Sequence, residues 1–157
     1  MSENFIQLDG KPYIEWWGER FGLPTETFTD LCFYRRGRST IWAGVPDVDD
    51  LAGARVEAVG IPLLRLGARF WKPTSIAIIT FASMAARNVI DLDGHEVRRF
   101  LAGSEIYLEA ADPRRGNLTT GFVASRLDGV ALGCGEWHHG TLYSCIPKGK
   151  RVVSIDF

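Results

Sequence analysis

The chain has 157 residues, of which 46% are hydrophobic and 24% are charged, and its formal net charge is −1. This length allows one domain or two small ones with a sizeable core, and the composition excludes a disordered or fibrous chain. Because the overall charge is close to neutral, any surface for nucleic acid must come from local clusters of Lys and Arg.

The sequence lacks the patterns of a membrane span and of a secretory signal. The best apolar stretch, 76–86, includes Thr80 and Ser83 and is well short of about twenty residues. The first ten residues contain no basic segment followed by an apolar one. Three cysteines at irregular spacing do not indicate the disulfide framework of a secreted protein. We therefore expect a cytoplasmic protein with no membrane partner.

A short amphipathic helix is predicted over 12–22. Pro12 suits the first turn of a helix, apolar residues recur at helical spacing, and Gly22 can end the helix. Two adjacent aromatic residues, Trp16 and Trp17, are interpreted as core and edge residues rather than as a ligand platform.

The rest of the first half is predicted to be a hairpin, a loop, a strand and a helix. The hairpin and the helix have the clearest signals, which are a turn at Gly37 and an N-cap at Thr74 or Ser75. In the predicted helix over 72–88, β-branched residues leave a strand as the alternative for the first half of the segment. We expect this helix to bury Ile76, Ile79 and Phe81. The segments are a hairpin over 31–44, a polar loop or single helical turn over 45–54, a bent strand over 54–67 and a buried helix over 72–88.

The second half is predicted to be a small, mostly β, barrel-like unit with one helix. The helix spans 94–103, where Asp93 can cap its start and Gly103 can end it. The pairs 128–129 and 139–140 can adopt the positive φ angles of two-residue hairpin turns. Strands are expected at 88–92, 105–108, 120–127, 130–137, 141–146 and 151–155.

The hairpin around 139–140 places Cys134 and Cys145 opposite each other on one side of the sheet. His138 would lie about 13 Å further along the strand, so it could not join them in a tetrahedral zinc site. A disulfide is geometrically conceivable, but a reducing cytosol disfavours it. We interpret both cysteines as packing residues and expect no metal.

No arrangement of residues indicates catalysis. The two histidines of the hairpin, His138 and His139, lie at an exposed turn, away from the cysteines that they would have to activate. His95, at a helix start, is expected to be solvated. No glycine-rich phosphate loop or dinucleotide motif follows a strand. We therefore expect a protein that is not an enzyme and that needs no cofactor.

Two segments of the second half resemble a known family when they are taken together. These are "RNVIDLDGHEVRRFLAGSEI" and "GFVASRLDGVALGCGEWHHGTLYSCIPKGKRV". They look like a PUA-like RNA-binding domain of the kind found at the C-terminus of RNA cytosine-5 methyltransferases and in small archaeal ribosome-biogenesis proteins. More faintly, "ERFGLP", "GIPLLRLG" and "KPTSIAIITFASMA" resemble the pre-PUA domain of such proteins.

The resemblance implies an α+β fold with two domains. An N-terminal α/β pre-PUA-like domain, 1–86, would pack tightly on a C-terminal PUA-like, mostly β barrel, 87–157, because no flexible linker separates them. It implies RNA binding without catalysis, since the chain has neither a Rossmann domain nor a Pro-Cys type nucleophile.

PUA-like domains hold RNA on the first helix, the turn after it and the last strands. By this resemblance the RNA-binding residues are Arg98, Arg99, Gly103, Lys148, Lys150 and Arg151. Glycine lets two backbones approach closely, while Lys and Arg donate to phosphates. Of the two other basic clusters, 113–115 is interpreted as solvated loop charge beside acidic residues, and 35–38 is the next candidate.

The resemblance favours a non-catalytic RNA-binding protein in ribosome biogenesis or in rRNA or tRNA modification. The expected partner is ribosomal RNA or tRNA, with an RNA methyltransferase or a ribosome assembly factor as a possible protein partner. A second hypothesis is a scaffold subunit of such a complex. A distant third is an enzyme or small-molecule binder with a pocket near Trp137, His138 and Tyr143.

Overall fold

The computed structural model describes residues 5–45 and 60–152. Within these residues the chain forms two five-stranded sheets, and the second is curled into a half-barrel. Helices and strands are both well represented, so the predicted α+β class with a PUA-like barrel is confirmed. None of the helices in these ranges is long and apolar enough to cross a membrane.

The first sheet is antiparallel throughout, and its strands follow one another in chain order. Helix α1 lies between the first two strands, and helix α2 follows the last one. The strands are β1 (Phe5–Leu8), β2 (Cys32–Arg36), β3 (Thr40–Gly44), β4 (Ile61–Leu66) and β5 (Trp71–Pro73). The helices are α1 (Lys11–Phe21) and α2 (Ser75–Phe81).

Several local predictions in this half are confirmed. Helix α1 ends at Gly22, which adopts the left-handed conformation, and β2 and β3 form the predicted hairpin around Gly37. Thr74 caps α2 by accepting a hydrogen bond from the N–H of Ala77. The predicted loop 45–54, the first part of strand 54–67 and the last part of strand 151–155 lie largely outside the described residues.

Helix α2 is shorter than predicted, and it buries a different face. It ends at Phe81 and continues as a 3-10 turn through Met84. Ala77 and Ile78 are fully buried, whereas Ile76 and Ile79 are 43% and 46% exposed. The prediction that Ile76 and Ile79 are buried is therefore wrong. With only two turns of helix, one narrow face contacts the sheets, and the small side chain of Ala77 brings that face close to them.

The second sheet has the strand order β6-β8-β9-β10-β7, with β6 parallel to β8 and the other pairs antiparallel. Both predicted two-residue turns are present, because Asp128, Gly129, His139 and Gly140 all have positive φ. The elements are β6 (Val89–Asp91), α3 (Gly94–Leu101), β7 (Ile106–Tyr107), β8 (Gly121–Leu127), β9 (Val130–His138) and β10 (Thr141–Ser144).

The two glycines of "LGCG" allow α3 to pack closely on β9. The Phe100 ring lies against both Gly133 and Gly135, and a Cβ at Gly135 would also meet Leu142 at 2.6 Å and the carbonyl of Tyr143 at 3.2 Å. Cys134 lies between these glycines and points to the opposite face of the sheet, as strand alternation requires. The motif therefore has a packing role on both faces.

The two halves share one hydrophobic core. Trp17, Phe21 and Ile78 from the first half form a buried cluster with Ala124 and Cys134 from the second. The predicted packing of the halves is confirmed, while the predicted boundary between residues 86 and 87 stays a prediction. A second cluster around Phe100 fills the half-barrel.

Arg20, near the end of α1, ties the first half to the start of β8. Its guanidinium donates to the carbonyl of Phe122 at 2.7 Å, to the hydroxyl of Thr119 at 2.7 Å and to the carbonyl of Thr119 at 2.9 Å. Because these acceptors converge on one planar guanidinium, the relative position of the two halves is fixed at this point.

Candidate nucleic-acid interface

Helix α3 presents its two arginines to solvent because of its local sequence. Asp93 and Glu96 form a capping box, in which each side chain accepts from the backbone N–H of the other residue. Val97 and Phe100 are buried on one face, so the intervening Arg98 and Arg99 are exposed on the other. Arg99 also donates to the carbonyl of Glu105 at 2.8 Å.

The segment after β10 returns to the end of α3, as predicted from the order of the motif. Pro147 is followed by a 3-10 turn over Lys148–Lys150, and both lysines are exposed. The N–H of Val152 then donates to the carbonyl of Leu101 at 2.9 Å. We call residues 147–152 the exit segment.

Gly103 and Arg151 are in direct contact. Gly103 has a φ of 84°, and a Cβ at this position would collide with the guanidinium of Arg151. Arg151 donates from Nε to the carbonyl of Ile146 at 3.2 Å, which orients its side chain along the exit segment. The structure thus joins the predicted residues of the turn and of the exit segment at the C-terminal end of α3. Their role in RNA binding stays a prediction.

Glu96, the acidic residue of α3, is bound by an arginine from another element. Glu96 is held by Arg114 through two hydrogen bonds of 2.8 and 3.0 Å. Arg114 also binds both oxygens of Asp112 and the carbonyl of Asp91. Glu96 is therefore neutralised within the protein, and the cluster at 113–115 has a structural function.

Because Asp112 accepts hydrogen bonds from Arg114, we expect the protein to lose stability in acid. Hydrogen bonds from the side chain and backbone of Arg114 lower the pKa of Asp112 from 3.8 to about 2. The ionised Asp112 therefore stabilises the fold above pH 4, and this contribution is lost as the pH falls towards about 2. We expect Asp112→Asn to lower the urea midpoint at neutral pH and the difference from wild type to vanish near pH 2. A difference that stays constant over this range would contradict the assignment.

The two cysteines of the second sheet face each other as predicted. The N–H of Cys145 donates to the carbonyl of Cys134 at 3.0 Å. A hydrogen bond with the Cys145 thiol, together with burial, raises the pKa of Cys134 well above its usual value. His138 is exposed, and its ring lies tilted by 60° against that of His139, with ring centroids 3.9 Å apart. A protonated, buried thiol is a poor nucleophile, so Cys134 has the character of a packing residue. Cys145 is half-buried, and the same hydrogen bond with Cys134 lowers its pKa. The packing role of Cys145 stays a prediction.

Replacing both cysteines with serine tests this packing role. We expect Cys134→Ser/Cys145→Ser to fold with a free energy of unfolding lower by about 1–3 kcal/mol, because two polar hydroxyls replace thiols in an apolar setting. RNA affinity should not change. Urea unfolding, a binding titration and metal analysis of the purified protein measure these effects. Stoichiometric zinc that is lost in the variant would contradict the interpretation.

The pocket of the third hypothesis does not form as expected. Trp137 pairs with Leu142 and is buried in the second core, with the guanidinium of Arg115 5.7 Å above its ring. His138 and Tyr143 lie on the other face of the sheet, because side chains alternate along β9 and β10. The three residues therefore do not converge on one site.

The structure also contains a cleft that was not predicted from the sequence. It has a volume of about 430 Å³ and lies between the two sheets, where Trp16, Phe70, Trp71 and Phe122 line it. The available signals were the adjacent tryptophans of α1 and the run "ARFW" at 68–71. Neither signal indicates that residues so distant in sequence meet.

The second half is thus a helix followed by a half-barrel, with a basic exit segment bound to the end of the helix. This arrangement is that of a PUA-like domain. Exposed basic side chains on α3 and the exit segment form one edge of it, which we call the PUA-like edge: Arg98, Arg99, Lys148 and Lys150. Residues 87–152 match the family described as the "Methyltransferase RsmF PUA domain". The predicted resemblance is confirmed: this part of the chain is a PUA-like domain of the methyltransferase C-terminal type. A PUA domain from a family of RNA methyltransferases suggests RNA binding.

The first half matches a different family. Residues 10–60 match a family of unknown function, DUF7122. No curated protein matches the chain. The pre-PUA-like character of the first half therefore stays a prediction.

Proposed function

We propose that this chain is a non-catalytic RNA-binding protein that acts in the cytoplasm in ribosome biogenesis or in the modification of rRNA or tRNA. The observation that carries the proposal is the junction of Gly103 with Arg151, which lies inside the PUA-like domain and brings the exit segment to the end of α3. Lysine and arginine side chains along such an edge donate to phosphates, which supply most of the affinity of many RNA-binding proteins.

The non-catalytic part of the proposal comes from the sequence, which has neither a phosphate-binding loop after a strand nor a cysteine paired with a base. In 5–45 and 60–152, no group of three or more His, Cys, Asp and Glu side chains is placed to hold a metal ion. The first sheet is antiparallel and the second is a half-barrel, so neither is the doubly wound parallel sheet that binds dinucleotides.

Binding measured over a range of salt concentrations tests the proposal. We expect the protein to bind structured rRNA or tRNA with a log affinity that falls linearly with log salt, with a slope of roughly −2 to −4 for three to five phosphate contacts. Fluorescence anisotropy of labelled RNA measures this slope. An affinity that is undetectable at low salt would contradict RNA binding.

A scaffold role is the second candidate, and exposed apolar residues favour it. Ile76 and Ile79 lie on the outer face of α2, and Met84 and Val130 are 80% and 60% exposed. Exposed apolar side chains on one helix and its neighbours are typical of protein interaction sites. Association with an RNA methyltransferase or assembly factor that survives ribonuclease treatment, and that Ile79→Asp abolishes, would support this role.

A further inference from the structure

The cleft between the two sheets has an unusual composition for an exposed surface. Phe70 is 74% exposed, although large aromatic side chains are normally buried. The rings of Trp16 and Trp71 contact each other with centroids 6.4 Å apart and form one wall. Phe122, from the other sheet, lines the opposite side of the same cleft. The volume of about 430 Å³ lies within the range of small-ligand sites, roughly 300–1,000 Å³.

The walls of this cleft are held in place by the backbone. The turn between β4 and β5 is closed by a hydrogen bond of 3.0 Å from the N–H of Gly67 to the carbonyl of Phe70. Across the cleft, Arg20 binds the carbonyl of Phe122 at 2.7 Å. Because the backbone on both sides is hydrogen-bonded before a ligand arrives, less conformational entropy is lost when a flat ring enters.

Positive charge continues from the exit segment to this cleft. A smaller hollow of about 270 Å³ is lined by Lys150, Arg65 and Lys72. Arg65 and Lys72 are paired across β4 and β5, and the ammonium of Lys72 lies 5.6 Å from the centre of the Phe122 ring. The basic hollow thus joins the exit segment to the aromatic cleft.

Among the described residues, the charged side chains that line the cleft are Arg20, Arg69 and Glu136. The guanidinium of Arg20 already binds Thr119 and Phe122, and the carboxylate of Glu136 indicates which part of a nucleotide enters the cleft. Glu136 pairs with Phe122 across β8 and β9, so their side chains share one face. A carboxylate repels a phosphate, but it accepts a hydrogen bond from the amino group of a base. The aromatic walls stack on a base of any sequence, whereas a paired base inside a duplex has no free faces.

We propose that this cleft binds an unpaired nucleobase of RNA while the neighbouring phosphates lie over Arg65, Lys72 and Lys150. The inference rests on the proposed function and extends it: the protein distinguishes single-stranded from double-stranded segments with a site outside the PUA-like edge.

The test compares two labelled RNAs of equal length, one single-stranded and one fully paired. Phe70→Ala should weaken binding of the single-stranded RNA roughly tenfold, because one stacking contact is lost, and should leave binding of the duplex unchanged. Phe70→Trp should restore single-strand affinity. Tyr107→Ala is the matched control, since Tyr107 is also an exposed aromatic residue (61%) but does not line the cleft, and it should bind both RNAs like wild type.

The outcomes separate this inference from the proposed function. If wild type binds neither RNA, both proposals fail. If wild type binds in a salt-dependent manner while Phe70→Ala keeps full single-strand affinity, the cleft is not a base site, although RNA binding stands. An equal loss for the single-stranded and paired RNAs would likewise overturn recognition of an unpaired base.

Discussion

Replacing Lys148, Lys150 and Arg151 with alanine is expected to weaken binding to structured ribosomal RNA and to flatten its salt dependence. Each lost phosphate contact reduces the slope of log affinity against log salt by roughly 0.7–0.9, so three lost contacts reduce it by about 2 to 3. At low salt we expect an affinity roughly 10- to 100-fold lower. Anisotropy titrations at several salt concentrations measure both quantities.

A second variant separates binding from folding, because Arg151 also contacts the fold. Arg151 packs on Gly103 and donates to Ile146, whereas both lysines are exposed. Lys148→Ala/Lys150→Ala should therefore keep wild-type stability and still reduce the slope by about 1.5. If the triple variant binds as tightly as wild type at every salt concentration, the RNA surface lies elsewhere. The cluster at 35–38, where Arg38 is exposed, is then the next candidate.

The largest expected loss of stability comes from Asn88, at the junction of the two halves. Asn88 is only 5% exposed, and its side chain donates to the carbonyl of Arg20 at 2.7 Å. Its Oδ1 accepts from the N–H of Thr119 at 2.8 Å and from the Thr119 hydroxyl at 3.1 Å. Asn88 also has a φ of 50°, which alanine adopts less readily. We expect Asn88→Ala to lower the free energy of unfolding by about 2–4 kcal/mol, since buried groups lose their partners.

Two further variants divide this effect into its causes. Asn88→Gly relieves the backbone strain but loses the same hydrogen bonds, so it should be less destabilising than Asn88→Ala by about 1 kcal/mol. Asn88→Asp keeps the acceptor and loses the donor to the carbonyl of Arg20. Urea unfolding measures the free energy of unfolding of all three Asn88 variants. A loss below about 1 kcal/mol for Asn88→Ala with an unchanged m value would show that this junction contributes little.

Features that depend on neighbouring residues in the sequence were predictable. The caps at Asp93 and Thr74 and the turn at His139 are each set by side-chain or backbone preferences over a few residues. Once the turn is fixed, strand alternation also fixes which residues face each other. The opposition of Cys134 and Cys145 follows from this register.

Features that depend on contacts between distant segments were not predictable. Helix α2 is apolar on all sides at 76–79, so its periodicity does not reveal that Ile76 and Ile79 are exposed. The bond between Glu96 and Arg114 joins residues from separate elements. The aromatic cleft combines residues of α1, β5 and β8, which only the packing of the two sheets brings together.

Ultraviolet crosslinking of the full chain to structured ribosomal RNA, followed by identification of the crosslinked peptides, tests RNA binding by the PUA-like edge most directly. We expect crosslinks in peptides that contain residues 94–105 and 147–152, because α3 and the exit segment meet at this edge. Crosslinks confined to the hairpin at 32–44, or no crosslinks at low salt, would contradict this assignment.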